Sequence, residues 1–396
     1  MSPEFELLLN CLRLDKEPGT LHPEVKENID WNKWKALLIA HSVLPQVYKN
    51  LKDRRFEGVP EKVLGELKGI FYSNTSRNTR LCTWLTRLIK SIRAGGTGKA
   101  VTVIPFKGPV LALYTGNDDT GRSYQDLDVL VYKNEFSRLY DNMEELGYHP
   151  IYSLNKKTRK WWAVFGREFV FSKENVYIDV HFRIQRGPEF IKPGTGLMEE
   201  YRDIKLMDYP LKALSPEYSV LAICINGTKD GWNRLSFLLD LSQLIRNNRE
   251  LKWEFIITRS KRMKVYTMLC IGLKLSNELL GLSLPKEITG DDLENKKINK
   301  LSEIYKDILV KGGGKNVPGK RAQRLEIRSL DTVWAKFRYF CYYLFVPKIS
   351  DLEDLSVFGI VFPFYLYLVL RPILLFSRMV RGVRSGRISG KGITER

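Results

Sequence analysis

Two aspartates, Asp126 and Asp128, sit two residues apart in the apolar stretch QDLDVLVY (125–132). Side chains alternate across a β-strand, so residues i and i+2 share a face. The spacing therefore predicts two carboxylates side by side, with Leu127, Val129 and Val131 turned to the core. Neighbouring carboxylates repel unless a cation lies between them. Oxygen donors of this kind suit Mg²⁺ or Mn²⁺. The plainer alternative is a strand end whose aspartates cap turns. A third carboxylate follows in VYIDVHFRI (176–184). There Ile178, Val180, Phe182 and Ile184 alternate with Tyr177, Asp179, His181 and Arg183, which predicts one apolar and one polar face. If the two strands are neighbours, Asp179 joins Asp126 and Asp128 as ligands of a two-metal site for phosphoryl transfer. His181 either touches a phosphate or orients Asp179; the plainer role is a hydrogen-bonded structural histidine.

Phosphate-binding chemistry is suggested upstream. Lys107-Gly108-Pro109 lies between the predicted strand VTVIPF and the predicted helix KGPVLALYTG. Glycine permits close backbone approach, and a helix start presents free N–H groups to an anion. Arg122 and Ser123 stand just before the DxD strand and are further candidates for phosphate oxygens. Each of these alone is an ordinary turn; their order along the chain carries the argument. A GxxxxGK pattern at Gly314–Lys320 lacks the Ser or Thr that would hold a metal ion, having Arg321 instead. Pro318 also removes one backbone donor, so a basic flexible loop is expected there rather than a phosphate cradle.

The elements that must position these groups follow from periodicity. Residues 29–93 read as helical, with Trp34, Leu37, Leu38 and Ile39 on one face before Pro45, and Leu81, Trp84, Leu85 and Leu88 on another. Strands are expected at 101–106, 125–132, REFVFS and 176–184, with a helix over EFSRLYDNMEELGY ended by Gly147. From about 215 the chain reads as helix again, opened by Ser215-Pro216. VFGIVFPFYLYLVL (357–370) has fourteen uncharged residues, short of the ~20 needed to span a bilayer. It is read as a core helix or an interfacial hairpin. The tail 377–396 carries six basic residues and one acidic and is expected to be mobile.

Composition bounds the rest. The chain has 396 residues, 44% of them hydrophobic, which excludes a wholly disordered chain. Five cysteines without a CxxC pair and four histidines argue against a disulfide scaffold or a Cys-rich zinc module, and for a reducing compartment. MSPEFELLLN has no basic n-region, so no secretory signal is expected. The net charge of +19 suits phosphate-bearing partners, whether nucleotide, nucleic acid or anionic lipid, or is simply a solvated basic surface.

The ordered set Lys107, Gly108, Arg122, Asp126, Asp128, Asp179 and His181 resembles the nucleotidyltransferase superfamily with the DNA polymerase β-type core. FKGPVLALY…GRSYQDLDVLV resembles more closely a large family of uncharacterised nucleotidyltransferases. WKALLIAHSVLPQVYKNL, INGTKDGWNRLSFLLD and LYLVLRPILL extend the resemblance over roughly 29–376. In the second of these, Asn226 and Asp230 stand where the family usually has histidines, while Gly227, Lys229, Trp232, Leu235 and Asp240 fit. The resemblance implies an α+β fold: a small mixed sheet over 96–212, a helical region over 1–95, a helical domain over 213–376 and the basic tail 377–396. It implies transfer of an NMP from an NTP, with ATP the first choice, to an acceptor left open among a small molecule, a peptide or protein, and RNA. Asp126, Asp128 and Asp179 would be catalytic and bind Mg²⁺ or Mn²⁺. Lys107, Gly108, Arg122, Ser123, His181 and Lys229 would bind the nucleotide, Lys229 alternatively acting as a base. Trp232 is expected to be core. The expected location is cytoplasmic, with contact to anionic membrane through 357–396. The competing reading is a non-catalytic nucleotide-, nucleic-acid- or membrane-binding protein of the same fold.

Overall fold

The computed structural model describes residues 1–13, 29–54, 58–94, 100–116, 120–183, 201–312 and 314–346, with 366, 370–373 and 375. The expectations for the 377–396 tail and for most of 357–376 lie outside these residues. In chain order the elements begin with helices α1 (Pro3–Leu12), α2 (Trp31–Ala40), α3 (Leu44–Arg54) and α4 (Glu61–Arg93). Then come β1 (Val103–Pro105), α5 (Gly108–Tyr114), β2 (Leu127–Val131), α6 (Phe136–Glu145), β3 (His149–Pro150) and α7 (Lys156–Phe165). Next are β4 (Glu168–Lys173), β5 (Val176–His181) and a hairpin of β6 (Tyr201–Leu206) and β7 (Tyr209–Leu214). The chain continues through α8 (Pro216–Lys229), α9 (Leu235–Asn247), α10 (Trp253–Arg262), α11 (Tyr266–Leu280) and α12 (Gly290–Glu294). After these come α13 (Lys296–Gly312), α14 (Gly319–Ser329) and α15 (Val333–Phe345). The protein is α+β, as expected.

These elements form two compact units. The first comprises Met1–Thr86, Pro105–Tyr124 and Glu200–Thr332; the second comprises Arg87–Ile104, Gln125–Glu199 and Val333–Arg396. The second unit carries a five-stranded mixed sheet in the order β1-β2-β5-β4-β3. β2 and β5 are parallel, whereas β4 pairs antiparallel with both β5 and β3. One face of the sheet is aromatic because alternate residues of β4 are phenylalanines. Phe169 and Phe171 pack on Phe136 and Tyr140 of α6, with ring centroids 5.4 Å apart for Phe136–Phe169 and 5.2 Å for Tyr140–Phe171. Ile178 and Val180 are buried with them. Strict alternation then leaves Glu168, Asp179 and His181 on the opposite face.

The first unit is built on the buried helices α8, α9 and α11. Ser215 caps α8 by accepting a hydrogen bond from the Tyr218 amide, with Pro216 in the first turn, as the Ser-Pro pair predicted. Helix breaks fall where the backbone requires them. The 29–54 pattern is two helices, and the chain turns at 41–43, with Ser42 at φ 56°. Pro45 therefore opens α3 rather than ending α2. Trp34 and Leu38 are buried, but Ile39 is 56% exposed and not part of the expected face. The loop over 314–318 is not the free basic loop expected. Asn233 donates its side-chain amide to the Lys315 carbonyl and to Asn316, both at 3.3 Å. Gly314, at φ +77°, lies against Ala40 so closely that a Cβ there would stand 2.4 Å from its backbone.

His41 ends α2 fully buried, its ring edge-on to Phe5 at 5.5 Å and its Nδ1 accepting the Leu235 amide hydrogen. Burial, and then the charge of Arg234, hold its pKa down at about 4 against an ordinary 6.5. The unfolded chain therefore binds more protons than the folded one between these values. The neutral ring contributes stability above pH 6.5 that is lost as pH falls toward 4. At about pH 4.5 the loss from this group is expected to approach ~3 kcal/mol. Urea unfolding at neutral and acidic pH would measure it, and His41→Gln should flatten the dependence. Equal slopes in both proteins would refute the assignment.

Candidate functional site

The polar face of the sheet brings three expected residues together. In the parallel ladder Asp128 of β2 stands opposite Asp179 of β5, and His181 follows two residues on, on the same face. One ligand atom from each of Asp128, Asp179 and His181 lies within 4.8 Å of the others. Asp128 and His181 are buried, at 6% and 4% exposure, and Asp179 is half-buried. His181 Nε2 is 2.8 Å from Asp128 Oδ1, a charge-assisted hydrogen bond in which the ring N–H donates to the carboxylate. The Nδ1 side lies 3.4 Å from Glu168 Oε2, directly across the β4–β5 ladder.

This donor set fits a divalent cation. Two carboxylates on facing strand positions repel, and low-dielectric surroundings make that costly without positive charge. With Nε2 engaged by Asp128, the imidazole orients a carboxylate, in the way that outer partners fix metal ligands. Hard oxygen ligands of this kind suit Mg²⁺ or Mn²⁺. Asp126 stands one residue ahead of β2, is exposed, and is not one of the three residues of this cluster.

The other candidates lie in the first unit. Gly108 opens α5 with φ 45°, a left-handed conformation that side chains with a Cβ seldom adopt. Lys107 precedes it, its Nζ 4.9 Å from the Phe106 ring centroid. Arg122 is tied into the fold. Its Nε donates to both carboxylate oxygens of Asp240 at 3.0 and 3.1 Å, and Nη1 donates to the Gly108 carbonyl at 3.3 Å. Burial holds the Asp240 carboxyl pKa above its ordinary value, against the opposing pull of the Arg122 charge and hydrogen bond. Ser123 accepts a hydrogen bond from Arg77 Nη2 at 3.1 Å. Lys229 ends α8, 3.7 Å from the Asp230 carboxylate.

Sequence reasoning missed the groups that hold this segment. Asn74 and Asn78 of α4 both donate to the Arg122 carbonyl, at 3.0 and 2.8 Å, and Arg77 Nε donates to the Tyr124 carbonyl at 3.2 Å. The available signal was three polar residues at i, i+3 and i+4, which share one helix face. Two of them are buried, Asn74 at 4% and Asn78 at 0% exposure. Glu168 was missed as well; only the register of β4 against β5 places it beside His181.

Trp232 is fully buried, its Nε1 donating to the Thr228 hydroxyl at 3.2 Å, in accord with a packing role. Gly227 makes room for it: a Cβ there would lie 2.7 Å from the indole ring. Gly227→Ala is therefore expected to destabilise the protein by about 1–3 kcal/mol through overpacking. Chemical denaturation would measure it, and an unchanged midpoint would show that the indole can move aside.

A family model described as an uncharacterised nucleotidyltransferase matches residues 27–281, well over half of the chain. No curated protein and no solved structure matches it.

Proposed function

The chain belongs to the uncharacterised nucleotidyltransferase family, and from that premise we propose that it transfers a nucleoside monophosphate from an NTP to an acceptor hydroxyl or phosphate. The acceptor oxygen attacks the α-phosphorus, the bond to the bridging oxygen breaks, pyrophosphate leaves, and the acceptor proton, where there is one, passes to a base. The observation that carries this reading is the facing pair Asp128 and Asp179 with His181 beside them.

In this reading Asp179 helps to hold a second divalent ion beside the acceptor, and Asp126 and Asp128 hold the Mg²⁺ or Mn²⁺ that meets the triphosphate. The ion supplies charge neutralisation to the triphosphate and the leaving pyrophosphate. His181 aims Asp128 by donating a hydrogen bond to it. Asp179 accepts the proton of an attacking hydroxyl, as the less buried of the two carboxylates. Lys107 and Gly108 receive the β- and γ-phosphates at the start of α5. Arg122 supports them by holding the Gly108 carbonyl, with Ser123 beside it, and Lys229 contributes a further positive charge. ATP is the favoured donor. The acceptor is drawn from small molecules, peptides or proteins, and RNA. The site of action is the cytoplasm, with contact to anionic membrane through 357–396. No helix among the described residues is long and apolar enough to cross a membrane.

The test is incubation with each α-labelled NTP, Mg²⁺ or Mn²⁺ and a cell lysate, following the label and the pyrophosphate released. Label should enter one class of acceptor and be lost with Asp128→Asn. Metal-dependent NTP binding with no transfer in any extract would favour the non-catalytic binding protein instead.

A further inference from the structure

We infer that the outward face of α15 is a docking surface for an anionic lipid membrane. This helix lies in the second unit, and its inner side is anchored there. Ala335 and Tyr339 are buried, and the Tyr342 hydroxyl donates to the Phe165 carbonyl at 3.0 Å. The Arg183 guanidinium lies 6.0 Å from the Tyr342 ring centroid. The other side is open and wholly apolar. Val333 is 80% exposed, Trp334 63%, Phe337 53%, Phe340 55% and Phe345 42%. Trp334 and Phe337 stack on each other at 5.5 Å.

At 3.6 residues per turn these five side chains fall on one arc of about 140°. Half-exposed Leu344 lies inside the same arc. Monomeric proteins rarely leave so many aromatic side chains uncovered without a use for them. The charges of the helix decide what kind of surface covers them. VWAKFRYFCYYLF contains no acidic residue. Its two cations, Lys336 and Arg338, project on the two borders of the apolar arc, one on each side. An apolar stripe of Trp and Phe bordered by basic side chains is the arrangement of a helix lying in the membrane interface. The rings enter the boundary of headgroups and acyl chains while the cations meet anionic headgroups.

Charge also argues against a second copy as the occupant. The chain carries a net charge of +19, and two such faces brought together would oppose their own lysines and arginines. An anionic leaflet reverses that sign and gains from each cation near its surface. The assignment places membrane contact on α15 itself, ahead of the 357–396 stretch that the sequence singled out. It is independent of the proposed transfer chemistry, since vesicle binding requires no nucleotide.

The test uses the full chain with vesicles of phosphatidylcholine alone and of phosphatidylcholine with phosphatidylglycerol. The protein should sediment with the anionic vesicles and much less with the neutral ones. Trp334→Glu combined with Phe337→Glu should weaken that partition about tenfold or more, because it removes apolar contact and adds repulsion. Phe340→Ser should weaken it in the same direction but less. All three positions are more than half exposed, so unchanged melting curves are expected. Retention of full vesicle binding by the Glu variant would overturn the inference, as would no anionic preference in the parent. A parent dimer that becomes a monomer in the Glu variant would assign the face to self-association instead.

Discussion

Asp179→Asn is expected to reduce nucleotidyl transfer by ~100-fold or more while leaving NTP affinity within a few-fold, the scale of losing a positioned general base. Asp128→Asn should behave differently, because Asp128 does two things. It offers charge to a bound cation, and it accepts the His181 hydrogen bond at 2.8 Å. An amide in its place loses the charge and can present its NH₂ to the ring. Metal-dependent NTP binding and turnover should therefore fall together. Asp126→Asn is expected to follow Asp128→Asn in direction, since both are assigned to the ion that carries the triphosphate. Its effect should be the smaller, because Asp126 is exposed, its charge is screened by solvent, and water can take its place as an oxygen ligand. Calorimetry with a non-hydrolysable NTP, set beside a labelling assay, separates the two losses. If all three variants bind and transfer like the parent, the site is misassigned and the non-catalytic binding reading takes its place.

The contrast between these aspartates shows what one-dimensional pattern reveals and what it hides. Alternation along 176–184 announced one apolar and one polar face, and the structure has Ile178 and Val180 buried opposite Asp179 and His181. Alternation requires only neighbours in sequence, so it can be read without the fold. The pairing of Asp128 with Asp179 depends on strand register across more than forty residues and was available only as a condition. Asp126 matched the i, i+2 spacing, but the strand begins at Leu127, and spacing cannot fix a strand end.

Elsewhere the signal was diluted. α4 is one helix of 33 residues, but Gly65, Gly69 and the polar run SNTSRN blur its first half, and only the second half showed clear periodicity. The β6–β7 hairpin carries exposed charged residues and was not anticipated. Lys107-Gly108 alone reads as an ordinary turn, and only its place in the ordered set of residues suggests phosphate binding. That order could not supply the partner of Arg122. Asp240 is 118 residues away, in a helix whose sequence reads simply as amphipathic.

That partnership leads to the largest stability effect expected in the molecule. The order of residues along the chain makes Arg122 a candidate phosphate ligand, and in the structure its Nε serves Asp240 and its Nη1 serves Gly108. Arg122→Ala would leave Asp240 buried without its cation and the Gly108 carbonyl without its donor. Breaking one half of a buried pair costs about 3–5 kcal/mol, far more than the pair itself need contribute. Asp240→Asn should cost less, because an amide buried beside a guanidinium leaves the cation with an acceptor and no isolated anion. The double variant should recover part of the Arg122→Ala loss, and a double-mutant cycle in urea would measure the coupling. The loss should also depend on pH. Burial alone raises the Asp240 pKa, and Arg122 is what opposes that rise. The Asp240 pKa is raised even with Arg122 in place, and without it the folded state holds the proton to a still higher pH. Stability relative to the parent is then lost as pH rises through that window, so the deficit should be larger at about pH 8 than at about pH 5. A deficit independent of pH, or a double variant no better than Arg122→Ala, would show that the guanidinium acts there through packing.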